Sequence, residues 1–431
     1  MNWEAIYRRK VADAATALST IKSGQRLYMG GGSGVPQVLI DALVGRAGEL
    51  RNVEITHILT FADAPYVQPE FSDSFRHNAL FIGASVREAV HAGRADFTPI
   101  FLSEIPSLFR NGILPIDVAL ISLSPPDEHG FCSFGVEVGT TKPAAEAARF
   151  IIAEINPRMP RTLGDSFIHI SRLNAIVEVD YPLPQAPQGG TDEVFLQVGQ
   201  NIAEMIPDGA TLQMGIGSIP DAVLQNLGSH KDLGIHTELF SDGIIEMVEN
   251  GVITCARKSF HPGKIVAGFL FGSQKLYDFV NNNPLIELHP TDYVNDPFNI
   301  ARNDNMVAIN SALQVDLTGQ VCADSIGTCF YSGAGGQVDF IRGATRSKGG
   351  LPIIAFTSTA RGGTISRIVP TLTQGAGVVT SRNDVHYVVT EYGVASLHGR
   401  TVQQRVHELV GVAHPRFRED LMRSARELGY L

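Results

Sequence analysis

The 431 residues predict an α/β protein made of two similar, duplicated open-sheet domains that face a central cleft. Three observations carry that expectation. Strand-like runs alternate with helix-like runs. A pattern near the amino terminus returns in the second half, and one proline- and glycine-rich segment separates the two copies.

The first copy reads as follows. Residues 11–22 suit an amphipathic helix that stops at Ser23 and Gly24, and Arg26–Met29 has strand character leading into Gly30-Gly31-Gly32-Ser33-Gly34. Helical spacing resumes over residues 35–43, residues 52–59 alternate as a strand, and residues 117–123 form an apolar run fit for a buried parallel strand ending at Ser124 and Pro125. The segment 181–190 has three prolines and two glycines in ten residues, too many for a regular element. It is expected to link an amino-terminal domain, 1–185, to a carboxyl-terminal domain, 186–431.

Beyond it the pattern recurs. Gly24 matches Gly209, Met29-Gly30 matches Met214-Gly215, and the run Asp127 to Gly130 matches Asp316 to Gly319. Both echoes come in the same order at an offset close to 187 residues, which points to duplication rather than to turn chemistry. Duplicated domains commonly face one another, and the cleft is where small ligands bind.

Composition narrows the function. A formal net charge of -10 argues against nucleic acid as a partner, because such binders carry basic surface. Four cysteines, Cys132, Cys255, Cys322 and Cys329, are too few for a disulfide framework and lack Cys-x-x-Cys spacing, so they read as reduced thiols of a cytoplasmic protein. No run approaches the roughly 18 apolar residues of a membrane span, and the amino terminus lacks a signal core. Glycine is plentiful, 43 residues, which favours tight turns and close backbone approach to a ligand.

The chemistry is expected in the second copy. Thr237-Glu238-Leu239-Phe240-Ser241-Asp242-Gly243 follows a strand-like run, 233–237, and precedes helical spacing over 243–249, which places Glu238 near the carboxyl end of a strand, where open α/β sheets bind ligands. Gln213-Met214-Gly215-Ile216-Gly217-Ser218 reads as a strand end and a glycine turn before a helix with Pro220 in its first turn, offering free N–H groups to an anion. It is not a dinucleotide fingerprint, since Pro220 occupies the third glycine position. Ser332-Gly333-Ala334-Gly335-Gly336 and Arg361-Gly362-Gly363 are further glycine turns. Converging on one carboxylate, these turns would form a backbone-lined slot for an extended phosphate-bearing ligand and an oxyanion hole. The histidines are scattered and no metal-ligand spacing accompanies the turns, so no metal is expected.

Taken together, Gly215 to Pro220, Thr237 to Gly243, Asn295-Asp296-Pro297, Ser332 to Phe340 and Val389 to Val394 resemble the acetyl-CoA hydrolase/transferase family of family I CoA-transferases, nearest its 4-hydroxybutyrate type. The resemblance runs from Trp3 to the carboxyl end. It implies two α/β domains of CoA-transferase type, with Glu238 matching the glutamate nucleophile, Asn295 an active-site asparagine, and Ile216 and Gly335 loop positions near the thioester. Asp296 stands where many relatives carry histidine. Gln213, Gly215, Ile216, Gly217, Ser218, Gly333, Gly335 and Gly336 become candidates for holding CoA, with Arg361 and Arg382 as candidate phosphate contacts.

The implied chemistry is ping-pong transfer through a glutamyl-CoA thioester. It needs acyl-CoA and a short-chain carboxylic acid as substrates, no permanently bound cofactor and no general base, since a glutamate is ionised at neutral pH. A homodimer or higher homo-oligomer is expected. Gly30–Gly34 offers only Ser33 as a polar side chain, so butyrate suits the sequence as well as 4-hydroxybutyrate does. Two other readings keep the same residues: an acyl-CoA hydrolase with water as acceptor, and a non-catalytic acyl-CoA-binding protein.

Overall fold

The computed structural model describes residues 2–186 and 192–431. Residues 187–190 of the expected linker lie outside this description. The chain forms two compact units, one of residues 1–187 with 266–294, the other of residues 188–265 with 295–431.

Unit 1 is built on seven strands: β1 (Arg26–Met29), β2 (Val53–His57), β3 (Phe75–Ala79), β4 (Ala95–Phe97), β5 (Val118–Leu123), β6 (Phe150–Ile155) and β7 (Ala175–Glu178). They lie in the order β4-β3-β2-β1-β5-β6-β7, all parallel. Every side chain of β5 is buried, as its unbroken apolar run requires of a strand covered on both faces. Of the helix expected over 11–22 only Ala14–Leu18 is helical, and a second helix, Trp3–Lys10, precedes it outside that range. Val11 breaks them apart by bridging to Ile176, and Asp13 caps the second by accepting from the Thr16 N–H at 2.7 Å. Residues 266–294 return to this unit through backbone bonds such as Leu270 N–H to the Val136 carbonyl and Leu288 N–H to the Leu163 carbonyl, both 2.8 Å.

Unit 2 contributes β8 (Thr211–Gln213), β9 (Gly234–Phe240), β10 (Met306–Asn310), β11 (Leu351–Ala355), β12 (Tyr387–Thr390) and β13 (Gly393–Ser396). These run β9-β8-β10-β11-β12-β13, parallel except for the final hairpin. The core order β2-β1-β5-β6-β7 of unit 1 is therefore repeated as β9-β8-β10-β11-β12. The echo seen in the sequence is a repeat of topology.

It extends to atoms. Gly24 and Gly209 both adopt left-handed backbone, φ 79° and 76°, and each N–H bonds to a carbonyl of the following loop, Arg51 and Lys231. Asp127 accepts from the N–H groups of His129 and Phe131, and Asp316 from those of Thr318 and Gln320, all at 2.9 to 3.0 Å. Both turns end on a left-handed glycine, Gly130 and Gly319. Three of the four free cysteines are buried, and burial pushes the Cys132 thiol up to about 12. Among the described residues no helix is long and apolar enough to cross a membrane.

Candidate active site

Strand β9 runs three residues beyond the expected end at Thr237, so Glu238 lies within it, near the carboxyl edge of the sheet. The parallel register of Leu212 with Ile235 brings the end of β8 to the same edge. There the Thr237 hydroxyl lies 2.8 Å from the Met214 carbonyl, which pins the start of the glycine turn beside the strand that carries Glu238. Gln213 is buried and accepts from Asn310 Nδ2 at 3.1 Å, which fixes its side chain across the neighbouring strand end.

Two donors meet the Glu238 carboxylate. Asn295 Nδ2 donates to Oε2 at 3.0 Å, and the Gly336 backbone N–H donates to the same group. Asn295 is fully buried, and Asp296 beside it accepts from the Phe298 N–H at 2.9 Å to cap the short helix Pro297–Ile300. Asp296, where the resemblance led to an expectation of histidine, therefore secures the loop carrying Asn295. Gly336 immediately precedes the helix Gln337–Arg346, and the left-handed φ of 54° at Gly335 turns the chain into it. A Cβ on Gly336 would overlap both Glu238 Oε2 and Asn295 Nδ2, so only glycine fits there.

The helix is held in register at its first residue. Gln337 donates to the Ser311 carbonyl at 2.6 Å and accepts from the Thr380 hydroxyl at 2.9 Å. Further along, a Cβ on Gly343 would overlap Ile300, so that glycine allows the helix after Asn295 to pack closely. Gly336 was expected to help hold CoA; that it leaves room for Glu238 and Asn295, and that the Gln337 side chain and Gly343 position the helix, the sequence did not announce. A glycine or glutamine at one helix position carries no periodic signal, and only the clash or the bond reveals the need.

The electrostatics follow from this cradle. Burial pushes the Glu238 carboxyl up from the usual carboxylate range, while the Asn295 amide and the Gly336 N–H pull it back. The open amino end of the helix beside it favours the anion as well. The outcome is a poorly hydrated carboxylate held by two fixed donors.

The first glycine turn is open. Nothing lies within 4 Å of a Cβ built on Gly215 or Gly217, Ile216 is 41% exposed, and Gly217 has φ 115°. Ser218 starts the helix Ser218–Gln225, which has no side-chain cap, leaving its first N–H groups free for a ligand. In the second turn, the N–H groups of Tyr331 and Ser332 both donate to the Asp324 carbonyl, which fixes the approach to Gly333.

Other expected residues are not brought to the carboxylate. Arg361 sits in the turn of the hairpin Thr359–Ala360 with Ile365–Ser366, and no hydrogen bond or ion pair among the described residues joins it to Glu238. Arg382 is exposed, and its carbonyl accepts from Arg405 Nη1 at 2.6 Å. Glu391, the carboxylate of the Val389–Val394 motif, is engaged by Ser358, whose N–H and hydroxyl donate to its two oxygens at 2.8 and 2.5 Å.

Comparison with known proteins gives the family. The family models for the acetyl-CoA hydrolase/transferase N-terminal and C-terminal domains match residues 1–184 and 272–425. A 4-hydroxybutyrate coenzyme A transferase of Clostridium kluyveri is 54% identical over 98% of both chains. A butyryl-CoA:acetate CoA-transferase of Anaerostipes caccae is 37% identical over 99% of this chain and 98% of its own. The solved structure of a 4-hydroxybutyrate CoA-transferase from Porphyromonas gingivalis superposes with a TM-score of 0.86 at 44% identity, covering 99% of this chain and 100% of that one. The chain belongs to the acetyl-CoA hydrolase/transferase family and is a CoA-transferase.

Proposed function

We propose that the enzyme moves CoA between acetyl-CoA, or another short acyl-CoA, and a short-chain carboxylate, with 4-hydroxybutyrate and butyrate as the first acids to test. The observation that carries the mechanism is the Glu238 carboxylate held by Asn295 and the Gly336 N–H. Glu238 attacks the thioester carbonyl and displaces CoA thiolate, giving an acyl-glutamyl anhydride. The thiolate then attacks the Glu238 carbonyl, the first acid leaves as its carboxylate, and the side chain becomes a glutamyl-CoA thioester. A second carboxylate runs the steps in reverse and departs as its CoA ester. A carboxylate nucleophile needs no proton removed.

N–H groups at Ile216 to Ser218 and at Gly335 to Gln337 serve as the oxyanion donors, alongside the proposed catalytic residues Glu238, Asn295 and Gly335. The glycine turns at Gly215–Ser218 and Gly333–Gly336, with Gln213, hold CoA, and Arg361 is the candidate contact for its phosphates. We keep the domain division at 185/186 and a homo-oligomeric assembly as part of this reading. Identity to the 4-hydroxybutyrate and butyryl enzymes supports the choice of acids.

The test is incubation with acetyl-CoA and a panel of short acids, with the CoA esters identified by mass spectrometry. Double-reciprocal plots should be parallel and labelled acetate should exchange into acetyl-CoA. Intersecting lines without exchange refute the covalent route. A second reading lets water accept the acyl group, as the name of an acetyl-CoA hydrolase of Yarrowia lipolytica, 24% identical, suggests for that protein. CoA release without new esters would favour it.

A further inference from the structure

Unit 1 contains a carboxylate that the chemistry does not use. Glu154 on β6 is fully buried, and no cation pairs with it among the described residues. Such a charge is costly unless donors replace its water. They come from one place, the amino end of the helix Gln37–Gly45. The Leu39 N–H donates to Oε1 at 2.7 Å, the Val38 N–H points to the same carboxylate, and the Tyr181 hydroxyl donates to Oε2. Tyr181 also accepts from the Gln37 N–H at 3.0 Å. This helix has no cap of its own, since Pro36 at its start offers no side-chain oxygen, so Glu154 and Tyr181 satisfy its orphan donors between them.

The duplication shows what unit 2 has instead. In unit 1, Leu27 lies opposite Val118 and Val118 opposite Phe150. In unit 2, Leu212 lies opposite Val307 and Val307 opposite Leu351. Four residues further along the last strands, Glu154 corresponds to Ala355. Unit 2 lacks the internal carboxylate, and the helix after its glycine turn stands uncapped and open.

We propose that Glu154 is a built-in ligand: its carboxylate fills an anion site at the start of helix Gln37–Gly45 and, through Tyr181, fastens the segment that leaves the unit there. The site is a carboxylate site by construction, because two helix N–H groups and a phenol match the lone pairs of one planar carboxylate. The segment is held at further points. Asn156 Nδ2 donates to the Tyr181 carbonyl at 3.0 Å, and the Tyr277 hydroxyl reaches the Pro184 carbonyl at 2.5 Å. Facing groups that titrate are Tyr181 and Asp41. Burial, with the charge of Asp41 acting the same way, pushes Glu154 up to about 7 against its donors.

The proposal is tested by truncating the ligand and offering it back. Glu154→Ala, the residue found at the matching position of unit 2, should lower Tm by several degrees. Formate or acetate should restore more of that loss than chloride at equal ionic strength, while wild type shows no such difference. A folded Glu154→Ala protein that responds equally to acetate and chloride overturns the idea. Should that variant not fold, Tyr181→Phe decides. Removing a donor to the charged form should move the pH at which stability stops falling upward from about 7, and an unchanged profile sinks the proposal.

Discussion

The two glycine turns have a common origin in the repeat and opposite fates. In unit 1, Gly30 to Gly34 is buried throughout: a Cβ on Gly30 would come within 2.9 Å of the Gly34 carbonyl, and one on Gly31 within 2.9 Å of the Leu59 carbonyl. Ser33 is sealed in, its hydroxyl 3.1 Å from that of Tyr277. In unit 2 the matching Gly215 and Gly217 face open space, and the helix behind them has no cap. The same motif is packed in one copy and open in the other. What differs is its filling. Unit 1 supplies its own side chains and the Glu154 carboxylate, whereas unit 2 leaves donors unsatisfied, which soluble proteins tolerate chiefly where a ligand or water completes them.

The largest effect should come from the open unit's carboxylate. Glu238→Gln is expected to lower transfer by several orders of magnitude, since removal of a covalent nucleophile leaves little of its site's activity. It should also raise Tm at neutral pH. The folded pKa of Glu238 lies above its unfolded value, so the charged form costs stability as pH rises through it, and a neutral amide removes that cost. Borohydride added after acyl-CoA should then fail to label the peptide bearing residue 238. Labelling at Glu391 or Cys329 in wild type would require another nucleophile.

Gly336→Ala comes next. The methyl would displace Glu238 or Asn295, and kcat/KM should fall on the order of 100-fold or more with CoA still bound, as for the loss of an oxyanion donor. Normal turnover would show that the cradle relaxes and that the donors are not fixed.

The sharpest contrast is a matched pair. Gly30→Ala should destabilise by about 1–3 kcal/mol through overpacking. Gly215→Ala should change stability by less than about 0.5 kcal/mol but reduce kcat/KM roughly 10- to 100-fold by disturbing the ligand's approach. Denaturation midpoints and steady-state rates on the two proteins decide it, and a reversal of the pattern would break the comparison.

The smallest effect is in pH. Burial pushes both Glu137 and Glu154 in unit 1 up to about 7. Their stabilisation is fully present below the unfolded carboxylate pKa and is lost as pH rises toward 7, up to about 3 kcal/mol for each. Glu137→Gln and Glu154→Gln should each flatten urea-denaturation stability measured from pH 5 to 8. A wild-type profile that rises across that range contradicts the assignment.

The sequence by itself determined the α/β class, the duplication and the place of Glu238, because those rest on local patterns: apolar period, left-handed glycines at turns, and a motif repeated at a fixed offset. It read Ser332–Gly336 as a glycine turn from its residues, and named Asn295 through resemblance alone. Tertiary structure decided what brings them together. Asn295 is 57 residues from Glu238 and Gly336 almost a hundred, and their meeting depends on a parallel register, on Gly343 admitting Ile300, and on Gln337 clamped to Ser311 and Thr380. The late start of the helix expected over 11–22 likewise goes with a long-range bridge, Val11 to Ile176, which holds its first residue in extended backbone against local periodicity. Nor does any local pattern separate the filled glycine turn from the open one. That distinction lies in what the fold packs against each turn: Leu59, Glu137 and Tyr277 in unit 1 and nothing against Gly215 or Gly217 in unit 2, groups brought together from far apart in the chain.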